Sequence, residues 1–110
     1  NKFDEAVSYL NKSVLFSFNK DEIDIDGHDK LKIQLKRWKE KLDKNNLYLK
    51  LHEIESIKIW SRMTMVDVKQ GEYDLISNDI VREIRRYYHF VNFGEVGWKI
   101  ISIADAKIEN

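Results

Sequence analysis

The chain has 110 residues, of which 43% are hydrophobic, and this is enough for one domain with its own core. We therefore treat residues 1–110 as a single domain. Nineteen Lys and Arg side chains balance nineteen Asp and Glu side chains, which argues against general binding of nucleic acid or anionic lipid. The absence of cysteine excludes disulfides, thiolate metal sites and a cysteine nucleophile.

Two amphipathic segments open the chain. Apolar residues at spacings of three and four predict a first helix over residues 2–18. They are Phe3, Val7, Leu10, Val14 and Phe18. The same spacing predicts a second helix, with Asp29 as its N-cap and Asn45-Asn46 as its stop. Its apolar residues are Leu31, Leu35, Trp38 and Leu42.

From Leu47 onward the apolar period changes to two, which indicates strands. Residues 53–56 interrupt the first strand and predict a bulge. We predict further strands at 62–69, 73–76 and 98–108, with a turn at 70–72. Residues 80–91 fit either a helix or a strand, and their β-branched and aromatic content favours the strand. The order predicts an α+β fold with both helices on one face of an antiparallel sheet.

The segment DEIDIDGHDK, residues 21–30, resembles a calcium loop at first sight. With Gly27 in the glycine position of an EF-hand, Lys30 and Ile33 occupy positions that require an oxygen ligand and a bidentate glutamate. We therefore interpret the segment as an extended connection that buries Ile23 and Ile25 and exposes its carboxylates.

Other metal and cofactor chemistry has little support in the sequence. His28, His52 and His89 lie far apart and match no zinc spacing. The four glycines form no phosphate-binding pattern, and no serine lies in a nucleophile elbow. We predict no cofactor, no metal site and no catalytic residue.

Two groups of residues are candidates for binding. Arg82, Arg85 and Arg86 precede aromatic residues and are candidates for a surface patch that meets an acidic partner. The tryptophans, Tyr88 and Phe90 are expected in the core between helices and sheet, or around a pocket in its concave side. The pocket candidates are Trp38, Trp60, Asp67, Tyr88 and His89.

The element order and the ending GWKIISI, residues 97–103, resemble the nuclear transport factor two-like superfamily, also called SnoaL-like or ketosteroid-isomerase-like. The composition and the ending YYHFVN...GWKIISI are most similar to TcaA- and YvbJ-type domains, which lie outside the membrane in anchored proteins of low-GC Gram-positive bacteria. The resemblance implies a cone-like fold with a strongly curved sheet and a homodimer through that sheet. Enzymatic members use a carboxylate base and a tyrosine donor, for which Asp67 and Tyr88 are the candidates here.

Three functional hypotheses follow. The leading one is a non-catalytic binding or scaffolding domain, an extracytoplasmic module of a larger membrane-anchored bacterial protein, in which any membrane contact comes from segments outside this chain. The second is a small-molecule enzyme with a ketosteroid-isomerase-like pocket. The third is a cytoplasmic, immunity-type protein that binds a partner through the acidic segment and the Arg85-Arg86 patch.

Overall fold

The computed structural model describes residues 2–18 and 21–105. These residues form two α-helices, six strands and one short 3-10 turn. The elements are α1 Lys2–Ser8, β1 Leu10–Phe18, β2 Asp21–Asp26, α2 His28–Lys44, β3 Leu47–Trp60, β4 Met63–Asp74, β5 Ile80–Asn92, the 3-10 turn Gly94–Val96 and β6 Trp98–Asp105.

The six strands form one open sheet in the order β2-β1-β6-β5-β4-β3. All neighbouring pairs are antiparallel except β1 and β6, which run parallel. The sheet is therefore mixed, because β6 pairs in parallel with β1 on one side and antiparallel with β5 on the other. The two helices pack on this sheet, so the predicted α+β class is confirmed.

The buried core lies under the helices, at the β1 side of the sheet. Six apolar side chains form it, and partly buried neighbours that include Trp38 pack against them. The six are Val7, Leu10, Val14, Phe16, Ile25 and Leu31. The strands at the other side of the sheet contribute two further buried side chains, Val68 and Ile84. Burial is therefore concentrated in one half of the molecule.

The prediction of one helix over residues 2–18 is wrong. The helix ends at Ser8, and the chain continues as β1 from Leu10. Spacings of four are multiples of two, so Leu10, Val14 and Phe18 fit a strand as well as a helix. The buried Phe16, two residues from both Val14 and Phe18, has the period of a strand.

The acidic segment, predicted as an extended connection, is strand β2, which pairs antiparallel with β1. Ile25 is buried as predicted, whereas Ile23 is exposed. Asp29 is not the N-cap of α2, because the helix already begins at His28 after Gly27. The helix ends at Lys44 with Asn45 as its C-cap, as predicted.

The strands after α2 are longer than predicted. Strand β3 is continuous and has register shifts at residues 51–53 and 54–56, which confirms an irregularity in this region. The predicted turn at 70–72 is wrong, because β4 passes straight through Gly71 and ends at Asp74. The favoured strand at 80–91 is confirmed by β5. The predicted last strand is β6, and its residues 106–108 lie outside the described residues.

Candidate binding surface

The register of the sheet assigns each strand residue to one of two faces. Residues paired across neighbouring strands point to the same side. One such row runs from Ile57 through Val66, Tyr88 and Ile103 to Phe16. Phe16 is buried in the core with the helices, so all five residues lie on the same side. We call this side the helix-bearing face and the other side the open face.

Strand β3 carries exposed apolar side chains on the helix-bearing face. The register pairs each of them with a β4 residue of that face. The five residues, named here the β3 apolar row, are Leu49 (37% exposed), Leu51 (52%), Ile54 (53%), Ile57 (57%) and Ile59 (70%). Strand β3 is an edge of the sheet, so one of its sides is also free of backbone pairing within the described chain. A contiguous apolar surface of this kind is typical of an interaction site.

A polar network lies beside this row on the same face. The Arg86 guanidinium donates to the Asp105 carboxylate at 2.8 Å and to the Gln70 side-chain oxygen at 3.1 Å. The Gln70 amide in turn donates to the Tyr88 hydroxyl at 3.2 Å. Arg86 also lies over the Phe18 ring, at 5.0 Å from its centroid. These contacts neutralise the Arg86 charge and hold Tyr88 in a fixed position.

A second ion pair on the helix-bearing face joins Arg82 to Glu72. The two side chains approach to 3.3 Å, and the Glu72 residue is only 9% exposed. A nearly buried carboxylate requires a partner, which Arg82 supplies. The Glu72 carboxylate therefore has a structural role in the sheet and is not available to bind a ligand.

The open face carries an ion cluster across β3, β4 and β5. Glu55 accepts from Lys69 at 3.0 Å and from Arg85 at 2.6 Å. The Lys69 ammonium, followed by the Arg85 guanidinium, lowers the pKa of the Glu55 carboxyl, and Glu55 raises the pKa of both cations. Asp67 Oδ1 is shielded from solvent without a hydrogen bond, 4.0 Å from the Arg85 Nε. Lys69 and Arg85 thus lie between acidic side chains of β3 and β4.

The five predicted pocket residues do not converge on one site. Trp38 and Tyr88 are on the helix-bearing face, where Trp38 packs against Phe16 at 4.9 Å between ring centroids. Asp67 and His89 are on the open face, because Asp67 pairs with Tyr87 and not with Tyr88. His89 Nδ1 there contacts the Ser102 hydroxyl at 2.7 Å.

Two of the tryptophans expected in the core lie outside it. Trp60 is 52% exposed at the end of β3, and Trp98 is 44% exposed at the start of β6. Both residues are next to turns at the rim of the sheet, where the helices do not cover them. Of the three tryptophans, Trp38 therefore packs against the core as predicted.

The three arginines of the predicted surface patch are divided between the two faces. Arg82 and Arg86 lie on the helix-bearing face, and Arg85 lies on the open face. Arg82 pairs with Glu72, Arg86 with Asp105 and Arg85 with Glu55. The alternation of a strand separates neighbouring residues, so no single arginine patch forms.

A cavity of about 440 Å³ lies elsewhere, between the helices and the start of β6. None of the five predicted pocket residues lines it; its lining residues are Asp4, Val7, Ser8, His28, Asp29, Lys32 and Lys99. Within residues 2–18 and 21–105, no three His, Asp or Glu side chains gather as a metal site would require. No helix in this part of the chain is long and apolar enough to cross a membrane.

The sequence did show the alternation in residues 47–59 that produces the β3 apolar row. This alternation predicts a strand. Alternation identifies a strand with two different faces, but it does not say whether a helix covers the apolar one. Only the placement of α1 and α2 over the β1 side reveals that this row is exposed.

Comparison with solved structures identifies the fold. The chain superimposes on a domain of unknown function with a cystatin-like fold from Nostoc punctiforme, with a TM-score of 0.78, 12% identity and coverage of 98% of this chain and 66% of that one. A candidate ketosteroid isomerase from Parabacteroides distasonis has a TM-score of 0.64, 11% identity and coverage of 98% and 84%. The yeast UBP3-associated protein BRE5 has a TM-score of 0.68, 12% identity and coverage of 98% and 83%.

These similarities establish a fold of the nuclear transport factor two-like, cystatin-like kind. The chain spans slightly less than two thirds of the length of the Nostoc domain. No protein-family model and no curated protein sequence matches it. With identities of 11–12%, the resemblance concerns the fold, and the function has to be argued from the surface of this chain.

Proposed function

We propose that this chain is a non-catalytic binding domain that holds a polypeptide partner on its helix-bearing face. This proposal rests on the exposure of the β3 apolar row. Five large aliphatic side chains in one line, 37–70% exposed, are an unfavourable surface in water unless something covers them. An edge strand with such a row can also pair with other chains and aggregate. A partner that covers the row would prevent this aggregation.

The placement of the candidate catalytic pair supports binding over catalysis. A base and an oxyanion donor must reach the same substrate from one side. Asp67 and Tyr88 are directed to opposite faces of the sheet, and the Tyr88 hydroxyl already accepts from Gln70. Arg86 and Arg82 are neutralised by acidic partners on the binding side. In this arrangement the polar side chains are held in place by one another, and none of them is presented as a reactive group.

A structure with the same fold offers a precedent for partner binding. BRE5, which shares the fold over 98% of this chain, is described as a protein associated with UBP3. The fold is thus found in a protein that associates with another protein. This supports a binding role here without indicating which partner this chain has.

We further propose that the domain is an extracytoplasmic module of a membrane-anchored bacterial protein. The support is the similarity of the ending YYHFVN...GWKIISI to TcaA- and YvbJ-type domains. In intact producing cells, a protease added outside should then digest this domain while a cytoplasmic marker survives. Digestion only after the membrane is broken would refute this location.

The binding role can be tested by photo-crosslinking at two adjacent positions. A benzoylphenylalanine in place of Ile57 lies within the β3 apolar row, and the same residue in place of Lys58 lies on the open face. We expect ultraviolet light to join position 57 to another polypeptide in producing cells, while position 58 gives little product. Equal yields at both positions, or no product at position 57, would argue against this surface.

A further inference from the structure

The short helix α1 shows what kind of element packs beside α2. The Asp4 carboxylate contacts the Lys32 ammonium at 2.5 Å, and the Lys36 ammonium lies over the Phe3 ring at 5.8 Å from its centroid. Val7 enters the core together with Leu31. An acidic and an aromatic residue of α1 therefore meet the basic flank of α2, while an apolar residue of α1 enters the core beside it.

This basic flank continues beyond the end of α1. Phe3 lies near Lys36 while Val7 lies near Leu31, so the two helices run in opposite directions. Positions 32, 36, 39 and 43 follow each other at spacings of four, three and four, which places them on the same side of α2. Lys39 on this side is exposed and pairs with Asp43 at 2.5 Å. Past Phe3, the flank of α2 has no helix of the described chain against it.

The same flank leads toward the β3 apolar row. Helix α2 ends at Lys44, and β3 starts three residues later at Leu47. The row begins at Leu49 on the helix-bearing face. The uncovered strip thus extends from Lys36 and Lys39 of α2, with Asp43 paired to Lys39, to the exposed Leu and Ile side chains of β3. This strip continues the existing interface between α1 and α2.

We propose that the strip binds an amphipathic helix of a partner polypeptide, whose apolar side rests on the β3 apolar row and whose acidic side faces Lys36 and Lys39. This inference depends on the binding role proposed above and adds the chemistry of the partner. A helix laid in an apolar groove buries residues at spacings of three and four, as α1 does with Phe3 and Val7. Acidic side chains on its other flank repeat the Asp4 contact with Lys32.

Charge disfavours a second copy of this chain as the occupant. Helix α1 of a second copy is already held by its own fold, through Val7 in the core and the Asp4 contact with Lys32. The longer helix, α2, is the one that a second copy could offer, and residues 30–44 contain seven basic and two acidic side chains. Two basic helices side by side repel each other. The strip therefore selects a helix of the opposite charge.

The test uses synthetic helical peptides and the 110-residue chain. One peptide of about 18 residues has Leu on one side and Glu on the other, a length at which an isolated helix begins to be stable. A second peptide has Lys in place of Glu, and a third is a scrambled form of the first. We expect the acidic amphipathic peptide to bind with shifts of the Lys36, Lys39 and Ile57 amide signals in NMR spectra, and the other two to bind much more weakly.

Two matched variants locate the contact. Ile57→Asp should lower the affinity for the acidic peptide by about tenfold or more, as expected at the centre of an interface. Lys58→Asp changes the net charge by more than Ile57→Asp does, but it lies on the open face. It should therefore have little effect on the affinity for the acidic peptide. Circular dichroism and thermal unfolding of both variants check that the fold is kept.

Three results would overturn the inference. The first is equal binding of the acidic and basic peptides, and the second is an equal loss of affinity in both variants. The third is self-association of the chain that Ile57→Asp abolishes, since a second copy would then be the occupant. If crosslinking at position 57 succeeds while the acidic peptide does not bind, the binding role stands and the proposed partner chemistry is wrong.

Discussion

At the scale of single residues, Gly71 explains why β4 is one strand instead of two. A glycine in a polar sequence predicted a turn, yet here it makes room for the His52 ring, which lies over it on the open face. His52 also contacts the Tyr73 hydroxyl at 2.5 Å, and Tyr73 stacks on Tyr48 at 5.3 Å between ring centroids. Aromatic side chains that cover a glycine in a strand replace the packing that it lacks.

We expect Gly71→Ala to destabilise the protein. The added Cβ would lie 2.6 Å from ring carbons of both His52 and Tyr73, which no ordinary contact permits. Overpacking of this kind costs about 1–3 kcal/mol of the free energy of unfolding, to be measured by urea denaturation. One of the two rings is absent in the His52→Ala variant. Adding Gly71→Ala to this variant should therefore lower the free energy of unfolding by less than it does in the parent chain. Equal costs in the two backgrounds would show that His52 is not the obstacle.

At the scale of elements, β3, β4 and β5 are tied together by charge on the open face. Lys69 and Arg85 converge on the Glu55 carboxylate, and Lys69 also lies 3.6 Å from Glu53. Glu55 is the residue at which the β3 register shifts. The irregularity directs its carboxylate toward both cations. A bulge that the sequence predicted thus has a defined role in joining the three strands.

This cluster predicts a pH dependence of stability. The Lys69 ammonium lowers the pKa of Glu55 below its ordinary value of 4.5. A group whose pKa is lower in the folded state stabilises it above the ordinary pKa, and this contribution disappears as the pH falls through the lowered pKa. Glu55→Gln should therefore be less stable than the parent chain near neutral pH, and the difference should shrink under acidic conditions.

The matched control is Glu40→Gln, on an exposed position of α2 outside the cluster. Urea denaturation of the three proteins over a series of pH values gives the comparison. A difference between Glu55→Gln and the parent that stays constant into acid would show that the ion contacts do not contribute.

At the scale of the whole molecule, the core and the proposed binding surface lie in different parts of the sheet. Six of the eight buried apolar side chains form one cluster under the helices. The β3 side of the same face is largely exposed. Stability and binding are therefore separated in space, so a substitution in the binding surface can leave the fold intact.

We expect a core substitution to lower the free energy of unfolding much more than a substitution in the β3 apolar row. Leu31 is fully buried, and Leu31→Ala should cost about 2–5 kcal/mol because it leaves a cavity. Ile59 is 70% exposed, so Ile59→Ala should change the free energy of unfolding by about 0.5 kcal/mol or less. Urea denaturation measures both. A comparable loss in Ile59→Ala would mean that the β3 apolar row is part of the core.

The sequence by itself determined the α+β class, helix α2 with Asn45 as its stop, the irregularity in β3, and strand β5. These features follow from local periodicity, from turn residues and, for β5, from β-branched and aromatic content, all of which act over a few neighbours. The prediction was wrong for residues 10–18, because apolar spacings of four fit both a helix and a strand. The choice between them depends on pairing with β6, which lies some 90 positions further along the chain.

Only the tertiary structure decided which surface is free. Register places Asp67 and Tyr88 on opposite faces although they belong to neighbouring strands, and a shift of one residue would have united them. Likewise, the alternation in β3 is the same whether or not a helix covers it. Local pattern fixes which side chains of one strand share a face, whereas long-range pairing and packing fix how the strands align and what lies against each face.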